Sequence, residues 1–350
     1  MTKIEHQYRT PMLKRVITVI FLYLFAGTAI AKESCPTGAQ QLIIYHAGSL
    51  SAALASVEDL FTQQSGVCVV DVAGGSVGLV RELTAGRLTS DLVAIADYEV
   101  IDQMLKPAGF ANYSILFAGG AMVLAYTTNS KNAGTIATSG GTFSPPNAIP
   151  EAASDWYAQL TQPGVTISGS HPFLDPGAYR ADMIFQLAQD YYGVPNLYNE
   201  MLTHYTITKE HGGLGSAFDY QFTYEHSARA AYNADKTGTY RYVKLPDEIS
   251  LGVPGMNSFY AKHSVTIPGL QTAKAATTVS IPASRVSWGI TLMNAAPNRE
   301  NAIAFLRLLF SNQGVVILKT VGPSPISPPI VSKQDFAQLP ASLKVLVQAQ

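Results

Sequence analysis

Apolar runs of strand length alternate with apolar positions three and four apart through the first third of the chain. Leu42, Ile43, Ile44 and Tyr45 form a short continuous run of the buried-strand kind. Leu50, Leu54, Val57, Leu60 and Phe61 then mark the inner face of a helix that reaches residue 64. The same order repeats at once: a strand over 67–72, a helix over 77–85 with Leu79, Val80 and Leu83 inward, and a third strand over 91–96. A short helix is expected over 99–106, ahead of Pro107. This alternation predicts an α/β fold built on a mostly parallel sheet. The apolar run 121–126 is of the kind that crosses from one lobe to another.

The Gly/Ser/Pro-rich stretch 139–150 reads as a surface loop. A helical region over 152–160 and a strand over 165–168 follow it. Asp175 and Pro176 fit the N-cap and first turn of a helix whose inner face runs through Met183, Ile184, Leu187 and Tyr191. Residues 218–224 alternate as a strand, with Glu225, His226 and Ser227 as its exit. Residues 245–249 form a loop leading to a final strand, and 301–311 return to helix with Ile303, Leu306, Leu309 and Phe310 on one face. Pro and Ser dominate 323–329, where regular structure is expected to end.

The candidate chemistry lies in the turns. His46-Ala47-Gly48-Ser49 and Ala73-Gly74-Gly75-Ser76 each join a strand to a helix through small residues. A helix N-terminus carries unpaired amides and about half a positive charge, so a serine at its mouth adds a hydroxyl to an anion-holding corner. Serine is also a favoured N-cap, and Asp175 is explained equally well as a cap. The pairing of two such turns favours a site, because ligands in doubly wound sheets collect outside the carboxyl ends of the strands.

At 350 residues, with 47% hydrophobic and 13% charged positions, the chain is long enough for two domains. Lys14 and Arg15 precede an apolar run over 16–26, and Ala29-Ile30-Ala31 has the small-x-small pattern of a signal-peptidase site, so residues 1–31 read as a cleaved signal peptide. Their removal takes Lys3, Arg9, Lys14 and Arg15 from the 23 basic residues and Glu5 from the 24 acidic ones, leaving a net charge of −4. That balance does not suggest a nucleic-acid or membrane-surface partner. Cys35 and Cys68, both in the exported part, form either a disulfide or two buried thiols. The sequence has no internal repeat and no CxxC or His-x-x-x-His spacing of a metal site.

With these stretches in view, the chain resembles the tungstate/molybdate-binding family among the extracytoplasmic solute-binding proteins of ABC importers, type II architecture. The resemblance rests on His46-Ala47-Gly48-Ser49-Leu50-Ser51, Gly75-Ser76-Val77, Ala96-Asp97-Tyr98, Ala125-Tyr126-Thr127, Asp155-Trp156-Tyr157, Asp175-Pro176-Gly177-Ala178-Tyr179-Arg180 and Leu245-Pro246-Asp247-Glu248-Ile249, in that order. It implies a two-lobed periplasmic-binding-protein fold, each lobe a mostly parallel sheet flanked by helices. Residues 32–126 with 259–350 would form lobe one, and 127–258 lobe two. It also implies a periplasmic, monomeric protein without a cofactor that delivers tungstate or molybdate to an inner-membrane ABC permease and its ATPase.

The resemblance further assigns Ser49 and Ser76 as donors from lobe one, and Asp175 with the strand around Tyr224 as the contribution of lobe two. In the archaeal branch of the family two carboxylates join the metal and make the oxyanion six-coordinate. Asp175 matches the first. At the second, Phe222-Thr223-Tyr224-Glu225 has threonine where the family often has glutamate. Glu225 takes that place if the strand continues, since residues two apart share a strand face. Otherwise the Thr223 and Tyr224 hydroxyls leave a tetrahedral, hydrogen-bonded site. Two rivals stand beside this reading. One keeps the fold and changes the cargo to sulfate, phosphate or an organic anion. The other is an exported serine hydrolase, because Gly74-Gly75-Ser76-Val77-Gly78 satisfies G-x-S-x-G between a strand and a helix.

Overall fold

The computed structural model describes residues 35–138, 149–208, 213–271 and 276–350. The expected signal peptide, 1–31, and most of the expected loop over 139–150 lie outside them. In chain order the strands are β1 (Gln41–Ala47), β2 (Cys68–Gly74), β3 (Leu92–Ile95), β4 (Ile115–Gly119), β5 (Met122–Thr127), β6 (Ile167–Gly169) and β7 (Tyr205–Ile207). They continue as β8 (Tyr220–Tyr224), β9 (Tyr240–Lys244), β10 (Ser264–Gln271), β11 (Ala276–Pro282), β12 (Ser287–Leu292), β13 (Ser324–Val331) and β14 (Gln348–Ala349). The main helices are α1 (Ser51–Ser65), α2 (Ser76–Thr84), α3 (Pro176–Tyr192), α4 (Glu225–Ala234), α5 (Arg299–Leu309) and α6 (Asn312–Val321).

Two sheets organise the chain. One has seven strands in the order β14-β13-β4-β12-β3-β1-β2, the other five in the order β7-β6-β8-β5-β9. Both are more mixed than the alternation predicted. β1 runs parallel to β2 and β3, but β12 pairs antiparallel with both β3 and β4. In the second sheet β6 is parallel to β7 and β8, while β5 is antiparallel to β8 and β9. β12 and β5 each enter where the chain arrives from outside their own sheet, so no crossover helix within the sheet sets their direction; β13, which follows α5 and α6, is antiparallel to β4 as well.

The strand 121–126 is not a connector. β5 is an inner strand of the second sheet, and the chain changes sheets between Gly119 and Met122. The return path lies alongside: Met122 donates to the Ser250 carbonyl at 2.8 Å and Val286 to that of Leu251 at 2.8 Å. Gly252 is needed there, because a Cβ would lie 2.5 Å from the Ala121 Cβ. By sheet membership the first change of sheet falls between Gly119 and Met122, and the second between Lys244 of β9 and Ser287 of β12. The β10–β11 hairpin, expected with lobe one, touches both lobes: Ser264 accepts from Gln186 of α3 at 3.3 Å, and Pro268 accepts from Arg81 of α2.

Other boundaries move for local reasons. The helix expected over 152–160 begins at Trp156, because Glu151 and Ala152 form bridges with Lys244 and Ala137. Most of the segment 323–329 is not irregular; from Ser324 it belongs to β13, and Pro325, Pro328 and Pro329 sit where the register against β4 shifts between Pro325 and Ile330. A bulge is where a strand tolerates residues without an N–H. Cys35 and Cys68 are joined, tying the segment before β1 to β2. In the chain-entropy account a loop of that size contributes roughly 3–4 kcal/mol.

Each sheet is packed on both faces. α1 meets α5 through an edge-on contact of Phe61 and Phe305 at 5.4 Å. In the second sheet Tyr220, Phe222 and Tyr224 share one face, where Phe185 of α3 packs edge-on against Phe222 at 5.4 Å. Val123, Ala125 and Tyr242 face the other way, against Ala228 of α4.

α3 also carries a buried carboxyl, Asp182, 2% exposed. It accepts from Gln186 at 2.6 Å and Tyr198 at 3.2 Å. Burial outweighs both bonds and raises its pKa to about 6. The folded state then holds the proton more tightly than the unfolded chain, so this group's contribution falls as pH rises from about 4 to about 6. Asp182→Asn should raise the melting temperature at pH 8 by a few degrees, roughly 2–6 °C, and leave it unchanged at pH 4. Thermal melts at the two pH values check this; an equal effect at both would place the cause in packing rather than ionisation.

Candidate functional site

The β1 and β2 turns do converge, and elements of the second lobe face them. Gly48 to Leu50 form one 3-10 turn that opens α1, and Ser49 stands in it half-buried. Its hydroxyl oxygen accepts from Trp288 Nε1 at 3.0 Å, and its carbonyl accepts from His226 Nε2 at 2.9 Å. Because a carbonyl only accepts, that imidazole nitrogen carries the proton. Burial lowers the His226 pKa to about 4, with Arg229 adding in the same direction against the raising effect of the Ser49 bond, so the ring is neutral near pH 7. The Ser49 hydroxyl, having accepted one bond, keeps its own proton to donate.

Ser76 opens α2 after Gly75, which occupies the N-cap. It is 1% exposed, and its oxygen accepts the Ala96 amide at 3.1 Å, which again leaves the hydroxyl proton to give. The amides behind it are taken: Val77 and Gly78 donate to the Leu174 carbonyl, which belongs to the second lobe, at 3.1 and 3.2 Å. Gly75 permits that approach, since a Cβ would lie 2.6 Å from the Leu174 oxygen. Arg81 of α2 adds a contact to the same loop, donating to the Phe173 carbonyl at 2.8 Å.

Asp175 is the N-cap of α3. One carboxylate oxygen accepts the Gly177 amide at 2.9 Å and the other the Ser170 hydroxyl at 2.7 Å. The cap is therefore real, and each oxygen keeps a further lone pair. Tyr224 closes the strand β8 with its ring 4.9 Å from Trp288, edge to face. Its hydroxyl oxygen accepts from Arg180 Nη1 at 3.0 Å, and burial, opposed by Arg180, raises its pKa.

Glu225 does not share the Tyr224 face. The strand ends at Tyr224 and Glu225 is the first residue of α4, with its carboxylate 4.0 Å from Arg229. The condition for a displaced second carboxylate, a continuing strand, is not met. Thr223 lies opposite Val123, on the face that α4 covers, so it too points away from Tyr224. Of the expected residues, Ser49, Ser76, Asp175 and Tyr224 come together across the lobes, whereas Thr223 and Glu225 do not join them.

Arg180, 1% exposed, is the group that the sequence reading passed over. Nη1 donates to the Ala96 carbonyl at 2.5 Å, and Nη2 lies 3.3 Å from Asp97, itself 2% exposed. Asp97 also accepts the Tyr179 hydroxyl at 2.6 Å. Arg180 sits on α3 in the second lobe and Asp97 follows β3 in the first, so this buried ion pair forms only with the lobes together. A signal was present: Arg180 falls in the same stripe as Met183, Ile184 and Leu187, and a charge in an apolar stripe needs a buried partner. Trp288, distant in sequence, gave none.

Among the described residues no imidazole is hydrogen-bonded to the Ser76 hydroxyl. That hydroxyl pairs with the Ala96 amide, while the imidazoles of His46, His171 and His226 engage Asp71, the Phe173 amide and Ser49.

Comparison with known proteins accords with this geometry. Residues 42–322 match the family model described as bacterial extracellular solute-binding protein. The molybdate/tungstate-binding protein WtpA of Pyrococcus abyssi is 30% identical over 370 aligned positions, covering 95% of this chain and 98% of the relative. That of Thermococcus kodakarensis is also 30% identical, covering 95% of each. Among solved structures, the Azotobacter vinelandii periplasmic molybdate-binding protein aligns with a TM-score of 0.53 at 16% identity, covering 81% of this chain and 98% of that one. The sulfate-binding protein SubI of Mycobacterium tuberculosis H37Rv aligns at 0.56 and 16% identity, covering 83% and 88%. At that identity the two structures speak for the two-lobed fold alone. By the extent of the family match and of its relatives, the chain belongs to the bacterial extracellular solute-binding proteins.

Proposed function

We propose that this protein is the periplasmic component of an ABC importer, exported by a cleaved signal peptide, that captures tungstate or molybdate between its lobes and presents it to an inner-membrane permease coupled to an ATPase. The observation that carries the reading is the meeting of Ser49 and Ser76 from one lobe with Asp175 and Tyr224 from the other. Both serine hydroxyls and the Tyr224 hydroxyl accept a bond from the protein and retain a proton for a guest. The WtpA relatives support the choice of cargo.

Charge decides how the oxyanion is held. Around the site Arg180 is balanced by Asp97, whereas Asp175 is held by the Ser170 hydroxyl and the Gly177 amide and forms no ion pair among the described residues. A dianion brought against a free, partly buried carboxylate would cost several kcal/mol. A bond from Asp175 to the metal of the oxyanion removes that objection, because hard, high-valent metals take carboxylate ligands. With Glu225 at the start of α4, the reading uses one carboxylate rather than two.

Closure follows from a divided site, since a ligand shifts open to closed only by its stronger contacts with the closed form. The capping of α2 by Leu174 belongs to that closed form and needs Gly75 to have no side chain. Gly75 has φ −70 and ψ 126, a conformation any residue adopts, so alanine there opposes closure without straining the backbone.

Calorimetry of the anion-stripped mature protein should give tight binding of tungstate and molybdate, with sulfate and phosphate much weaker; equal or stronger sulfate binding overturns the assignment. Ser76→Ala should weaken tungstate binding by roughly 1.5–3 kcal/mol with the melting curve preserved and no esterase activity in either protein. Asp175→Asn keeps the cap but supplies a poorer ligand, so it should cost more than Ser76→Ala, whereas Glu225→Gln should bind like wild type. Wild-type affinity in Asp175→Asn would reduce Asp175 to a cap and reopen the sulfate reading. Gly75→Ala should lower the affinity and keep the radius of gyration of the ligand-free protein when tungstate is added. Small-angle scattering that contracts as in wild type would show that Leu174 does not need this space.

A further inference from the structure

The hydrogen bond between Arg180 and Tyr224 runs in one direction only. A guanidinium donates and does not accept, so at 3.0 Å the Tyr224 oxygen is the acceptor and its single proton must go elsewhere. Among the described residues no hydrogen bond takes that proton to an acceptor. The ring cannot swing away to find one: it is 6% exposed, edge-on to Trp288 and stacked on His226 at 6.0 Å. Arg180 is fixed as firmly, by the Ala96 carbonyl and by Asp97. Ala96 in turn donates to Ser76, so the same residue ties Arg180 to the serine hydroxyl of the first lobe.

We infer that Arg180 is a positioning residue, which makes Tyr224 a one-way donor to the bound oxyanion. This rests on the proposed anion-binding function. A free tyrosine hydroxyl rotates and exchanges donor for acceptor at little cost, so on its own it discriminates weakly between guests. With its lone pair engaged by a cation, it offers a guest a proton and nothing else. Arg180 thereby acts on the anion through Tyr224, and the Ala96 carbonyl and Asp97 of the first lobe hold the guanidinium that does so.

The test is a double-mutant cycle read by tungstate calorimetry. Tyr224→Phe keeps the ring and should lower affinity about tenfold, the usual worth of one hydrogen bond to a charged group. Arg180→Lys keeps the charge but cannot hold Ala96, Asp97 and the tyrosine oxygen at once, and in that background Tyr224→Phe should cost less than twofold. The paired change Arg180→Gln with Asp97→Asn gives a second background that leaves no buried charge unmatched, and there too the cost should fall below twofold. Tyr179→Phe removes a different bond to Asp97 and should leave the tenfold cost of Tyr224→Phe intact. A tenfold cost in every background, or none in wild type, overturns the positioning role while tungstate binding stands. A wild-type protein that binds no oxyanion overturns the function and this inference together.

Discussion

Closing the cleft takes two charges out of water, and the arrangement of the site follows from that constraint. Arg180 and Asp97 are almost wholly buried and come from opposite lobes. A buried pair gains by attraction about what it loses by desolvation, so closure on these two groups alone is close to balanced. The Ala96 carbonyl and the Tyr224 oxygen accept from Arg180, and Tyr179 donates to Asp97, so neither charge is held by the pair alone. A near-balanced equilibrium is one that a bound solute can tip.

The helix ends show the same economy. A helix N-terminus is attractive to any oxygen, its own protein's included. Here Leu174 lends its carbonyl to α2 and Asp175 its carboxylate to α3. The donors left for a guest are then hydroxyl protons, each on an oxygen already holding one bond. Such groups are oriented before the guest arrives, so less ordering is lost on binding.

The chain passes between the two sheets over 119–122 and again by way of 250–252. These two segments lie side by side, bonded through Met122 to Ser250, with Gly252 pressed on Ala121. The β10–β11 hairpin spans the lobes at a second point, through Gln186 and Arg81. Closure therefore has to accommodate both contacts.

The sequence by itself determined the elements and the corners. The run at 42–45, the stripe from Leu50 to Phe61 and the Asp175-Pro176 cap are local, and each was legible because propensity, spacing and capping chemistry act within a few residues. It also pointed to small-residue turns facing a common space, with Ser49, Ser76 and Asp175 at their mouths, while Tyr224 and Glu225 were expected there from the family resemblance. The tertiary structure alone decided the rest, because it depends on partners far apart in the chain. Whether β8 continued past Tyr224 was a contest between strand and helix settled by α4 docking on Val123 and Tyr242, and it removed Glu225 from the site. The prolines of β13 form a strand only because β4 offers an edge to pair with. Arg180 carries a local signal only as a charge in an apolar stripe; its partner Asp97 lies 83 positions earlier and Trp288 stands 239 beyond Ser49. No local pattern can specify such pairs; they are fixed by the burial that two lobes impose when they meet.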